Sequence, residues 1–352
     1  MPITRLLLAI ATMAAVGYAG WELASYPARA QAGTSEVRAV SIAPGSSLPR
    51  IAESLASAGV VERPLWFRAY VRREGSARQI KAGTYRLPGN LSPSALLAEL
   101  LKGQADPGVR LTIAPGIHAL DIAKLLDAAG IVSAPEFLEA FRSEELRTRH
   151  GVHAPNLEGR LYPDTYHFRP GTPAESIIET LVTRHRAVLS ELQAAHPEGL
   201  KRLQSLGFDE DDIVTLASIV EKETAAAKER PRIASVFLNR LERGSFQPKL
   251  LQTDPTVAYG CVVPQTRSEA CRSFEGRLRT VHLRDRDNAY NTYAHPGLPP
   301  GPIASPGRAA LQAVLAPESH DYFYFVSQNN GTHAFSKTVA QHERMVDRYQ
   351  RR

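Results

Sequence analysis

Ten of twenty positions are identical when residues 42–61 are laid over residues 113–132. Ile42-Ala43-Pro44-Gly45 recurs as Ile113-Ala114-Pro115-Gly116, and Ile51, Leu55 and Gly59 recur as Ile122, Leu126 and Gly130. Each copy reads as a short strand, a Pro-Gly turn and a helix. The apolar residues of the first helix (Ile51, Ala52, Leu55, Ala56) fall at helical spacing, and a glycine stops it. Further on, Thr84–Gly89 is echoed by Thr165–Gly171, and both precede an amphipathic stretch, LSPSALLAELL and TPAESIIETLV. Two copies are too few for a solenoid. They constrain the chain to a duplicated small α+β module. The second copy is longer by about ten residues, and the surplus, near Arg147–Leu157, reads as an added loop. The full 352 residues suit two or three domains at roughly 100–200 residues each.

From Leu6 to Trp21 no charge interrupts LLLAIATMAAVGYAGW, and Arg5 precedes it. A spanning helix needs roughly 17–25 apolar residues, so this run is short but usable with its flanks. Ala28-Arg29-Ala30 resembles a signal-peptidase site, but it lies farther past the apolar run than such sites usually do. The reading adopted is a retained anchor, with the short positive N-terminus inside and the rest exported. In an oxidising compartment Cys261 and Cys271, ten apart in what reads as a surface loop, can close a disulfide worth about 2.5–3 kcal/mol; the alternative is two unpaired thiols. The net charge of +6 suits an acidic polymer such as nucleic acid, anionic lipid or cell wall.

Beyond about residue 205 the pattern changes. Asp209–Ala227 reads as a helix opening on acidic residues, which complement its dipole. A second helix follows over Pro231–Gly244, then a turn-rich stretch from Gln252 to Gly307. Asp321–Val326 and His333–Phe335 read as a hairpin, and Lys337–Tyr349 as a closing helix.

Several chemistries are excluded by motif: the sequence has no phosphate loop, GxGxxG, GxSxG or HExxH. Histidines such as His282, His295, His333 and His342 are scattered, two cysteines cannot build a four-thiolate zinc site, and no recognition helix or RNP-like segment supports nucleic-acid binding. What stands out is Ala217–Thr224, ASIVEKET, where two glutamates end an apolar helical stretch. Around the helix, Glu221 lies about 90° to one side of the apolar stripe and Glu223 about 70° to the other. A glutamate half-sunk beside Leu216, Ile219 and Val220 loses hydration, its proton affinity rises, and it can donate a proton near neutral pH. The plainer reading is a solvated helix end with a Glu–Lys pair. Helix geometry does not choose between the two glutamates. Gln252–Thr256 and Asn288–Tyr293 are dense in hydrogen-bonding and stacking groups, which suits sugars and suits ordinary turns equally.

Seven blocks in order, LEGRLYPDTYHF (157–168), ASIVEKET (217–224), FLNRL (237–241), LQTDPTVAYG (251–260), AYNTY (289–293), GLPPGPIASPG (297–307) and YFYFV (322–326), resemble the YceG/MltG-type endolytic murein transglycosylases. The resemblance spans roughly residues 40–350. It implies an α+β protein with a single-pass inner-membrane anchor (1–25), a linker (26–40), a LysM-like βααβ module (41–105) and a periplasmic catalytic domain (106–352). The implied substrate is the glycan strand of nascent peptidoglycan, the implied partners are peptidoglycan synthase complexes, and no cofactor or metal is implied. The glutamate preceding the threonine of EKET maps to Glu223 as the catalytic acid–base. Glu221, Asn239, Gln252, Asp254, Tyr290, Asn291 and Tyr293 are its expected supporting or sugar-binding residues, while Glu158 and Asp164 brace the domain junction. The cysteine pair departs from the family pattern. A non-catalytic wall-binding scaffold and a hydrolase pairing Glu223 with Asp254 or Glu221 are the rival readings.

Overall fold

The computed structural model describes residues 17–351 apart from 19, 23, 44, 104–107 and 225. The expected anchor over 1–25 therefore lies largely outside the described residues. Among those described, no helix is long and apolar enough to cross a membrane. The chain is mixed α+β, and it divides after Gly108 into two compact units.

In the first unit β1 (Val37–Ile42) pairs antiparallel with β2 (Gly83–Pro88), Ile42 opposite Gly83 and Val37 opposite Pro88. Between them lie α1 (Leu48–Ser57) and α2 (Pro64–Arg73), and α3 (Pro93–Lys102) follows. Prolines sit in the first turn of all three helices, where a missing N–H costs nothing. Alternate strand residues Val40 and Ile42 meet Leu55, Phe67, Tyr85, Leu96 and Leu100 in one core. Residues 26–36 are not a free linker. Tyr26 is buried in that core, and the Gln31 amide donates to the carbonyls of Val60 (2.8 Å) and Leu91 (3.0 Å).

The second unit begins with the second copy of the repeat. β3 (Val109–Thr112) pairs antiparallel with β4 (Thr165–Phe168), and α4 (Ala119–Ala128) and α5 (Ala134–Phe141) lie between them. The surplus expected as a loop starts instead with a helical turn, α6 (Glu144–Arg149), capped by Ser143, before an irregular run to Asp164. The long α7 (Ala174–Ala195) closes this half over Ile122, Leu126, Phe137 and Phe141. A second core gathers α8 (Pro197–Ser205), α9 (Glu210–Glu223), α10 (Arg230–Glu242), α11 (Asp254–Val262) and α14 (Arg308–Leu315). The stretch from Gln252 to Gly307 is thus more helical than its prolines suggest. It holds α11 and the single-turn α12 (Glu269–Arg272) and α13 (Thr280–Leu283). The hairpin forms as β5 (Tyr324–Ser327) and β6 (His333–Ser336), followed by α15 (Val339–Tyr349).

Candidate active site

Helix α9 carries the EKET glutamates to a defined place. Asp209 and Asp212 form a reciprocal capping box, each side chain accepting the other's backbone N–H at 2.9 and 3.0 Å. Ile213, Val214, Leu216, Ala217, Ile219 and Val220 are all essentially inaccessible, and each large one contributes roughly 1.5–3 kcal/mol of burial. A charge at Ile219 would break the helix from its core. The LEGR segment grips the other end: Arg160 pairs with Glu210 and Asp211, and Asp211 accepts the backbone N–H groups of His153 and Ala154. Gly159 is required there, since a Cβ would stand 2.5 Å from Pro302 and 2.8 Å from Val214. The Ser218 hydroxyl accepts from Ile303 N–H at 3.0 Å and so docks the GPIASPG loop onto the same helix.

The sequence leads one to expect helix through Ala227. The helix in fact ends at Glu223, because Thr224 turns to an extended backbone (φ −145°, ψ 134°). Glu223 is therefore a terminal helical residue, half-buried, and its Oε1 is sealed from solvent. Glu223 accepts no hydrogen bond from the described residues. Loss of hydration, reinforced by the Asp254 charge and opposed by Arg240, pushes its carboxyl up to about 7. Glu221, two residues earlier, has the opposite surroundings. Its Oε1 accepts from Arg230 at 2.7 Å and its Oε2 from the Gly307 N–H at 2.9 Å. It ties α9 to α10 and to the proline-rich loop.

Asp254 and Tyr293 come together beside Glu223: the Tyr293 hydroxyl donates to Asp254 Oδ1 at 2.7 Å. Burial and the Asp254 and Glu223 charges hold the Tyr293 hydroxyl well above the usual phenol range. Their two segments are riveted by buried threonines. Thr253 N–H donates to Thr292 Oγ1 (3.0 Å), and Thr256 Oγ1 lies 2.9 Å from the same oxygen. Gln252 is exposed with a free side-chain amide among the described residues. Its backbone adopts φ +54°, a strained region for a residue with a Cβ, held by a hydrogen bond from its N–H to the Thr292 carbonyl at 3.1 Å.

The other expected contacts turn inward. Asn239 is buried, and its amide donates to the carbonyls of His320 (3.0 Å) and Tyr322 (2.9 Å). Asn291 is inaccessible and donates to the carbonyls of His282, Leu283 and Asp285. Tyr290 packs on Tyr259 at 4.8 Å between centroids, its hydroxyl pushed up to about 12 mainly by burial. These three are buried and hold the surrounding segments in place. Asp164 bonds Arg184 at 3.0 Å. Glu158, fully buried, accepts from Ala119 N–H (3.1 Å) and Tyr259 Oη (3.4 Å), and burial pushes it too up to about 7.

Residues the sequence reading passed over complete the site. Arg240 is buried with its guanidinium 5.4–5.9 Å from the rings of Phe246, Tyr324 and Phe237. It is pinned by the carbonyls of Phe323 and Leu251. Burial lowers its affinity for the proton to a pKa of about 10, and its charge is the cationic influence acting on Glu223. Glu229 and His333 join at 2.7 Å and fix the turn after Glu223 to the hairpin. Arg240 lies within FLNRL, but nothing in the sequence spacing marked it or Glu229. Cys261 and Cys271 are disulfide-bonded and buried, not displayed on a surface loop. Among the described residues no cluster of three or more His, Cys, Asp or Glu side chains is placed to hold a metal ion. One half-open carboxylic acid with a neutral-range pKa, a second carboxylate held by a phenol and one fixed guanidinium together suit proton transfer to and from an oxygen.

The family model described as the YceG-like family matches residues 40–348. The chain is 29% identical to an endolytic murein transglycosylase of Bacillus subtilis (strain 168), over 88% of this chain and 84% of that protein. It is 27% identical to one of Streptococcus pneumoniae serotype 2, over 97% of this chain and 63% of that protein. A crystal structure of a yceG-like protein from Listeria monocytogenes shares the fold with a TM-score of 0.55 at 29% identity, covering 89% of this chain and all of that one.

Proposed function

This chain belongs to the YceG-like family, and we propose that it is an endolytic murein transglycosylase whose single acid–base is Glu223. It cleaves the MurNAc-β-1,4-GlcNAc bond of peptidoglycan strands without water and leaves a 1,6-anhydro-MurNAc end. The observation that carries the assignment of Glu223 is its sealed, unpartnered Oε1, together with a proton held to about pH 7. Glu221 has both carboxylate oxygens already engaged, by Arg230 and by the Gly307 N–H.

The reaction follows from those surroundings. Glu223 gives its proton to the leaving GlcNAc oxygen as the C1–O bond breaks and positive charge grows on the muramyl ring. Its new negative charge is stabilised by the fixed Arg240 guanidinium. The 6-hydroxyl of the same MurNAc closes on C1, and its proton returns to Glu223, which ends as it began. Because the attacking hydroxyl belongs to the substrate, its effective concentration is high and no second carboxylate is needed to activate water. Asp254 keeps the Glu223 proton in place until it is needed, and Tyr293 orients Asp254. Gln252 and Tyr293 offer polar and aromatic surface to the sugars.

The wider setting belongs to the same proposal. Residues 1–25 anchor the chain in the inner membrane with the catalytic domain in the periplasm, beside peptidoglycan synthases. Residues 41–105 are a LysM-like module; the β–α–α–β order there and a cavity of about 360 Å³ lined by Ile42, Leu48, Ile51, Ala77, Ile80 and Ala82 support that reading. Mass spectrometry of glycan strands treated with the full-length protein tests the function. Anhydro-muropeptides are expected. Reducing ends would replace the lyase by a hydrolase, and uncut glycan would leave a scaffold.

A further inference from the structure

We propose that Asn288, clamped against the Cys261–Cys271 disulfide, is a positioning residue that sets where Asp254 and Tyr293 stand beside Glu223. The state of the two cysteines thereby governs proton donation. This rests on the reading of Glu223 as the acid.

Asn288 is buried at the meeting point of two walls. Its Nδ2 donates to the Val257 carbonyl at 3.1 Å and lies 3.8 and 3.6 Å from the sulfurs of Cys261 and Cys271. Its Oδ1 accepts the Tyr290 N–H at 3.0 Å. Helix α11 makes room with a glycine: a Cβ at Gly260 would stand 2.0 Å from Asn288 Oδ1. Thus α11 and the 288–293 loop, joined near the site by the Thr256–Thr292 and Tyr293–Asp254 bonds, are joined at their far end by one amide seated on the disulfide. Each wall delivers one member of the site pair. Asp254 opens α11, and Tyr293 ends the loop. The loop is further held from behind, since Asn291 binds the carbonyls of His282, Leu283 and Asp285. Asp285 in turn accepts from Ser268 and lies 3.9 Å from Cys271 Sγ. The disulfide is the one covalent bond, apart from the chain itself, joining α11 to this backing among the described residues.

The groups facing Glu223 are Asp254 from α11, Arg240 from α10 and Tyr293 from the loop. If α11 and the loop separate, Asp254 withdraws and Arg240 acts unopposed. Glu223 then ionises at lower pH, and the acid form disappears earlier as pH rises.

The test compares full-length wild type, Cys261→Ala/Cys271→Ala, Asn288→Ala and Gly260→Ala by pH–rate profile on glycan strands. Wild type is also taken with dithiothreitol, whose two thiols pass two electrons to the disulfide and close to a ring as the cysteines become thiols. Each perturbed form is expected to lose activity about threefold to tenfold at pH 7.5. The alkaline limb should move down by about half to one pH unit. The double variant should ignore dithiothreitol. Carboxyl NMR titration of Glu223, assigned with Glu223→Gln, gives the same comparison without turnover. If no form cuts glycan, the function fails while the titration still decides the positioning claim. An unmoved limb and titration in all folded variants would overturn the proposal. So would a lower rate with an unmoved limb, or two alkylatable thiols in the oxidised protein. Should one variant fail to fold, the dithiothreitol arm and Gly260→Ala carry the test.

Discussion

Glu158 and Glu223 are two glutamates of the second unit, one buried and one half-buried, both pushed up to about 7 by loss of hydration. Their pockets differ in what surrounds the acid. Glu158 is fully inaccessible, holds the first turn of α4 through Ala119, and sits under the Tyr259–Tyr290 pair. Glu223 ends a helix, keeps part of its surface open and has Asp254 and Arg240 acting on it from two sides. An elevated carboxyl alone does not mark a catalytic acid. Access for a substrate oxygen and a cation to receive the conjugate base separate the two.

The sharpest way to break this comparison is to exchange the acids for amides. Glu223→Gln should lower kcat by about a thousandfold with the melting profile at pH 6 unchanged; a comparable loss in Glu158→Gln instead would reverse the roles. The next effect is on stability. Both carboxyls bind their protons more tightly folded than unfolded, so the native chain holds more protons between about pH 4.5 and 7. Their stabilisation is complete below the unfolded value and is lost as pH rises through about 7. Urea melts at pH 5 and pH 8.5 should show that loss, on the order of 2–3 kcal/mol for the Glu158 share. Glu158→Gln should remove that share; an unchanged pH dependence would mean the pocket is wetter than described. Glu221→Gln leaves Arg230 without its counter-ion and should cost about 2 kcal/mol in the same melts, with turnover reduced less than tenfold. Asp254→Asn should have the smallest free-energy effect. Turnover at pH 7.5 should fall about tenfold or less, and the alkaline limb should move to lower pH because the proton on Glu223 is held less tightly; an unmoved limb would detach Asp254 from the acid.

The strand–turn–helix repeats were legible because Ile, Leu and Gly recur at the spacings that burial and helix stops require. ASIVEKET was legible as a helix end carrying two acids. Which acid stays naked was not, because the answer depends on Arg230 seven residues beyond Glu223 and on Gly307 across the fold. The texture around Asn291 suited sugars and turns equally, and Asn239 entered only through the resemblance as a supporting or sugar-binding residue; both amides bind backbone carbonyls that no local pattern announces. Arg240 stayed hidden for the opposite reason. Within FLNRL it looks like a solvated charge, and only the rings of Phe246 and Tyr324 draw it inside. Helix α11 was masked by Pro255, which here sits in its first turn, and α12 and α13 are single turns too short to show helical spacing.

The buttoning of Tyr26 and Gln31 into the first unit bears on how this protein can be processed. Ala28-Arg29-Ala30 lies between them, and Glu22 just upstream grips Arg29 and Arg63 at 3.1 Å each. A peptidase cutting there would pull an aromatic plug from the hydrophobic interior and strip Arg63 of its counter-charge. The segment thus acts as a seam allowance: trimming it would leave the garment behind it open along one edge.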